Sequence, residues 1–171
     1  MFKNRRPAAL LTAGFFIGTV TACAAAYAQT AQPLHIDIPV KLEKSNIVFD
    51  VGHAVFNGDM PFVLGDLNQL ANDVSADGTK GEIVTVFHGD AAYLVLNDET
   101  YNNTRHVKTG NPYAKLITGL MSRGIQFELC GATAAGNHWG NANLLSGVNI
   151  NTDAMVRVSQ LEQKGFTLIY Q

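Results

Sequence analysis

From Ser45 onward the chain alternates short apolar runs with segments of helical period, and that alternation leaves few folds open. Residues 45–51 read as a buried strand, and residues 52–59 as a loop leading to Pro61, which suits the first turn of a helix. Val63, Leu64, Leu67, Leu70, Ala71 and Val74 then recur at helical spacing up to Asp77-Gly78. A second strand covers residues 82–88, and residues 91–96 form a short helix. Residues 97–109 are polar and read as an exposed excursion. Asn111-Pro112 is a cap followed by proline at the first helical position, with Leu116, Ile117, Leu120 and Met121 on one face and Gly124 at the end. The third strand is 125–130, followed by a loop with short helical turns over 131–145 and a short fourth strand over 148–151. Asn151 or Thr152 caps a helix carrying Met155, Val156, Val158 and Leu161, which Gly165 ends, and residues 166–170 form the last strand.

Strands and helices in this order predict an α/β domain. Its sheet has about five strands, mainly parallel, with helices on both faces, because right-handed crossovers carry each helix over the sheet. By analogy with doubly wound sheets, a flavodoxin-like sandwich and strand order are expected. The chain shows no internal repeat, low-complexity run or linker, so one domain over 45–171 accounts for it.

The N-terminal part follows a different grammar. Lys3, Arg5 and Arg6 precede an apolar stretch over 8–22, and Ala26-Tyr27-Ala28 is a small-x-small cleavage site. Residues 1–28 are thus expected to be a signal peptide, with 29–44 as an N-terminal extension and a periplasmic or secreted destination. The apolar run is short for a membrane span. Val20-Thr21-Ala22-Cys23 resembles a lipobox, a competing arrangement in which Cys23 would carry a lipid anchor. The formal net charge is −2, and removal of three basic residues with the leader makes the remainder more acidic. No basic patch points to nucleic acid.

Without the leader, Cys130 is the sole cysteine, which excludes an internal disulfide and a Cys-x-x-Cys redox motif. It stands where the third strand runs into Gly131-Ala132-Thr133. Ligands of open parallel sheets bind beyond such carboxyl ends. The other strand ends offer Asp50 and His53, His88 and Asp90, then His138 and Trp139, and finally Asn149 and Asn151. The thiolate is the reactive form of cysteine; a helix N-terminus or a neighbouring histidine would favour it. A lone cysteine is equally a small apolar filler, and any single histidine is more often a surface residue than a catalyst. No closely spaced ligand pair suggests a metal, and the glycines form neither a Rossmann fingerprint nor a P-loop, so no metal or organic cofactor is expected.

Several segments together resemble the DsrE/DsrF-like family. They are residues 124–133 around Cys130, Trp139, residues 143–150 and the helix end at 161–166. Val86-Phe87-His88-Gly89 with Ala91 and Leu94, and Asn111-Pro112, add to the match, which spans roughly 45–170. The resemblance implies a compact sandwich assembled as trimers or hexamers. It also implies a cysteine, here Cys130, that holds sulfane sulfur as a persulfide, with sulfur donor and acceptor proteins or small thiols as partners. His88, His138, His53, Gly131, Thr133, Asn111 and Trp139 are the expected pocket and tuning residues. An exported member would not join a cytoplasmic relay. The other reading is a non-catalytic ligand-binding or assembly module of the same fold, in which Cys130 is structural.

Overall fold

The structure, a computed structural model, describes residues 33–171; the leader, Cys23 and Gln29 lie outside the described residues. Five parallel strands form the sheet: β1 (Ile47–Val51), β4 (Ile83–Phe87), β5 (Gln126–Cys130), β6 (Asn149–Asn151) and β7 (Thr167–Tyr170). A two-stranded antiparallel hairpin, β2 (Phe56–Asn57) with β3 (Met60–Pro61), sits in the loop after β1. The helices are α1 (Phe62–Asp77), α2 (Asp98–Arg105), α3 (Ala114–Ser122), α4 (Gly131–Gly136) and α5 (Ala154–Gln163), with a 3-10 helix over Gly89–Val95.

The sheet order is β6-β5-β4-β1-β7. This corrects the flavodoxin-like order, in which the second and third strands flank the first on opposite sides. Here β4, β5 and β6 are added successively on one side of β1, and only β7 goes to the other. The physical reason lies in the crossovers. Right-handed connections that step in one direction leave their helices on one face of the sheet; a step back puts its helix on the other. α1 and α3 pack together on the first face. The single reversed crossover, β6 to β7, puts α5 alone on the second face.

Two apolar clusters follow from this division. The larger joins Phe49, Phe87, Phe127 and Leu129 of the sheet to Leu64, Leu67, Ile117 and Leu120 of α1 and α3. The smaller joins Val48, Val84, Val86 and Cys130 to Ala154, Val158 and Leu161 under α5. All five residues of β4 are buried, as a central strand covered on both faces requires. The edge strands β6 and β7 are short, and β6 is polar, which limits unwanted strand addition there.

Three local expectations change. The polar stretch after Asn97 is not simply an excursion but contains α2. Asn97 caps it by accepting from the Thr100 N–H at 2.9 Å, Asp98 and Glu99 stand in its first turn, and Arg105 in its last. Only Thr100 and Tyr101 of this helix are buried, so apolar periodicity has nothing to report. α3 starts at Ala114, not at Pro112, because the Asn111 side chain spends its oxygen on the Tyr113 N–H at 3.0 Å in a turn before the helix. α5 is capped by Asp153, whose Oδ1 accepts from Met155 and Val156, and not by Asn151 or Thr152, which belong to β6 and the turn after it.

Asn111 is a buried brace rather than a ligand-facing residue. Its amide nitrogen donates to the carbonyls of Leu94 and Leu96 at 2.8 and 2.7 Å. Asn111→Ala strands both carbonyls without a donor and is expected to cost about 2 kcal/mol, read as a fall in the urea midpoint at unchanged slope.

Tyr93, Tyr101 and Tyr113 pack ring to ring, with the Arg105 guanidinium 4.2 Å over Tyr93. Burial raises the Tyr93 and Tyr113 hydroxyls above the ordinary 10.0, against a lowering pull from Arg105. The folded state therefore holds these protons more tightly than the unfolded chain. Their contribution is complete below pH 10.0 and is lost as the pH rises through the raised folded values. In a urea series carried into that range, the stability of the wild type is expected to fall more steeply than that of the Tyr93→Phe/Tyr113→Phe protein.

Candidate functional site

Side chains alternate across a strand, so Glu128 and Cys130 of β5, Val86 of β4 and Asp50 of β1 all point to the α5 face. His88, one residue beyond β4, keeps that parity. The registered pair Phe87↔Leu129 ends β4 against β5, which makes His88 and Cys130 the next residues along two neighbouring strands. β1 lies on the other side of β4, with Asp50 opposite Val86. Asp50, His88 and Cys130 thus come from three adjacent strands, at their carboxyl ends, on the same face.

The imidazole of His88 is held from two directions. Its Nε2 donates to Asp50 Oδ1 at 2.9 Å, and both side chains are partly exposed. Gly52 lies flat against the ring: a Cβ at that position would sit 2.9 Å from His88 Cε1. With Nε2 committed to the carboxylate, the Nδ1 of a neutral His88 is the free acceptor.

Cys130 is 4% exposed and belongs to the apolar cluster under α5. Its sulfur accepts the Ala154 N–H at 3.3 Å, at the first residue of α5. A helix N-terminus presents unpaired N–H groups and partial positive charge, so α5 offers the sulfur a polar contact inside an otherwise apolar site. Gly131 is required by the close approach of the next strand. A Cβ there would stand 2.4 Å from the Asn151 carbonyl oxygen. Thr133 Oγ1 accepts from the Gly89 N–H at 3.3 Å and ties the start of α4 to the turn behind His88.

The remaining expected pocket residues are placed elsewhere. His53 pairs with Asp90 at 3.2 Å on the open surface, where such a contact is worth little. His138 is exposed, in the left-handed region at φ 58°. Trp139 packs against the larger cluster, on the opposite face from Cys130, and Asn111 is the brace described above. The strand register places His88 and Cys130 at neighbouring strand ends, with the His88 ring turned to Asp50 and Gly52. Gly131 follows the thiol, and Thr133 bonds to the Gly89 N–H, while His53 and His138 are exposed, Trp139 lies on the opposite face and Asn111 is a buried brace. Asp50 is a strand-end residue in the sequence, but its pairing with His88 depends on strand adjacency.

A second polar group on this face has no motif in the sequence. Glu128, 6% exposed, receives Arg157 Nε at 2.9 and 3.1 Å and Nη2 at 2.7 Å, while Asn151 Nδ2 donates to it at 3.0 Å. The hydrogen bonds that Arg157 donates to Glu128 raise its guanidinium above the ordinary value, against the effect of burial. These residues, with Asn149, Thr152 and Gln160, line a cleft of about 340 Å³. The Cys130 sulfur is not part of its wall. Removing Arg157 leaves a buried carboxylate with one amide donor. Arg157→Ala is expected to destabilise by about 3 kcal/mol in urea unfolding, and Glu128→Gln/Arg157→Met to recover most of it, because the loss comes from the unpaired charge.

The five-strand parallel sheet with helices on both faces defines an α/β domain, with Cys130 at the carboxyl end of β5. The model of the DsrE/DsrF-like family matches residues 45–170, and the chain belongs to that family, which is associated in general with sulfur relay. Two solved structures share the fold. A protein of unknown function, MTH1491 from Methanobacterium thermoautotrophicum, is 18% identical with a TM-score of 0.57, over 73% of this chain and 97% of its own. The ychN protein from E. coli is 17% identical with a TM-score of 0.53, over 76% of this chain and 100% of its own. No curated protein matches the chain. Among the described residues, no helix is long and apolar enough to cross a membrane.

Proposed function

We propose that this is an exported sulfur-handling protein in which Cys130 carries sulfane sulfur as a persulfide. The observation that carries the reading is the Ala154 N–H on the Cys130 sulfur, beside an Asp50–His88 pair, at the carboxyl ends of three neighbouring strands. In the loading step, the Cys130 thiolate attacks the outer sulfur of a polysulfide or the sulfane sulfur of thiosulfate. A sulfur–sulfur bond forms on Cys130, and the shortened polysulfide or sulfite leaves with the electron pair. In the unloading step, an acceptor thiolate attacks the outer sulfur of the persulfide, and Cys130 leaves as thiolate. Neither step needs an organic cofactor or an external oxidant. His88 takes the thiol proton before loading and returns it afterwards, with Asp50 holding the ring in one orientation. Donors and acceptors are small thiols or partner proteins. Residues 1–28 act as the signal peptide, cleaved near Ala28, and the site works in the periplasm or outside the cell.

The burial of Cys130 favours a second reading, a ligand-binding or assembly module with a structural thiol. Intact mass separates the two. After incubation with polysulfide or thiosulfate, the wild type is expected to gain one sulfur that reductant removes, and Cys130→Ser to gain none. Equal loading of that variant would sink the persulfide reading. No adduct, together with a Cys130 that resists neutral alkylating reagents in the folded protein, would establish the structural one. His88→Gln is expected to slow loading at least tenfold near neutral pH and to flatten its pH dependence, without a matching loss of stability.

A further inference from the structure

On the persulfide reading the Cys130 sulfur must meet a second sulfur, yet the residue is only 4% exposed. Its cover is one short stretch of chain: Asn151 at the end of β6, then Thr152 and Asp153, then the first turn of α5. The Ala154 N–H rests on the sulfur at 3.3 Å. A Cβ on Gly131 would stand 2.4 Å from the Asn151 carbonyl oxygen and 2.8 Å from that of Thr152, so the stretch also lies against the backbone that follows the thiol. A polysulfide or an acceptor thiolate needs an open line of approach to the sulfur, and this cover leaves almost none.

The cover is lightly held by apolar contact. α5 packs over β1, β4 and β7, to one side of β5. Val158 and Leu161 anchor its later turns in the smaller cluster. In the first turn only the Ala154 methyl is buried, while Met155 and Val156 are exposed, as is Thr152. Lifting this turn bares little apolar area, and the cost of exposure scales with that area.

What fastens the stretch is polar. Glu128 accepts from Asn151 Nδ2 at 3.0 Å and from Arg157 Nε and Nη2 at 2.9 and 2.7 Å. Asn151 and Arg157 are the two ends of the cover, so one carboxylate closes both. Glu128 stands two residues before Cys130 on β5 and shares its face, which sets clasp and thiol on the same rigid strand. The cleft of about 340 Å³ is walled by Thr152, Asp153 and Arg157, and leaves these side chains room to move.

We propose that residues 151–157 form a lid over Cys130 and that Glu128 is the positioning residue that keeps it shut. The lid opens when Arg157 leaves the carboxylate, while Val158 and Leu161 hold the rest of α5 in place. Access to the thiol is gated in this way whatever reacts there; the use of the gate in sulfur transfer rests on the persulfide reading.

The test is the rate at which iodoacetamide modifies Cys130 in the folded protein, read by peptide mass at one pH, across a urea series ending at the unfolding transition. Opening of a single turn exposes little surface and depends weakly on urea, whereas global unfolding depends on it steeply. The wild type is expected to react slowly, at a rate that is flat at low urea and steep only near the transition. Arg157→Ala is expected to raise the flat part at least tenfold. Arg157→Lys, which keeps the charge but not the planar fork, is expected to raise it less. Asn111→Ala loosens the opposite face by a similar amount and is expected to move the steep part only. A wild-type rate that is steep from the first urea, a flat part unchanged in Arg157→Ala, or an equal rise in Asn111→Ala would each overturn the lid. Sulfur loading from polysulfide is expected to rise in step with alkylation in Arg157→Ala. Faster alkylation without any sulfur adduct would overturn the persulfide reading and leave the lid standing.

Discussion

The site depends on one reversal of direction. Three successive crossovers build the sheet outward from β1 and leave their helices on one face; the fourth turns back, and right-handedness sends α5 to the other. That face then has a single helix to cover it. Its N-terminus comes down on the end of β5, where the Ala154 N–H meets the Cys130 sulfur. Had β7 been added beyond β6, α5 would have joined the other helices, and Cys130 would have lost this contact.

Coverage by a single helix also explains why charge is tolerated on this face. Val48, Val84, Val86 and Cys130 are sealed by Ala154, Val158 and Leu161, but Glu128 lies at the margin. A buried carboxylate needs compensation, and α5 supplies Arg157 while β6 supplies Asn151. The ion pair thus pins the same helix whose first N–H touches the sulfur. Movement at the start of α5 would act on both at once, which ties access to the thiol to the packing of the helix.

Much of the architecture was legible because apolar periodicity reports burial. β4 reads as a two-sided strand since all five of its residues are buried, and α1 and α3 show their stripes clearly. α2 escaped that signal because it buries only Thr100 and Tyr101. Its capping asparagine, early acids and late arginine were the alternative signal, and they sit in plain order from Asn97 to Arg105. The small β2–β3 hairpin is too short for alternation to register.

Position along the chain determined that Cys130, His88 and Asp50 stand at strand ends, and that Gly131 follows the thiol. It held no information on which strand ends are neighbours. His53, His88 and His138 look equivalent in the sequence. Strand adjacency and parity separate them: His88 shares a face with Asp50 and Cys130, while His53 and His138 lie in the open. Local chemistry is written residue by residue, because backbone preference and side-chain burial act over a few positions. The Glu128–Arg157 pair and the contact between α5 and the sulfur were decided only by tertiary structure, since they join residues brought together by the order of the strands and the hand of the last crossover.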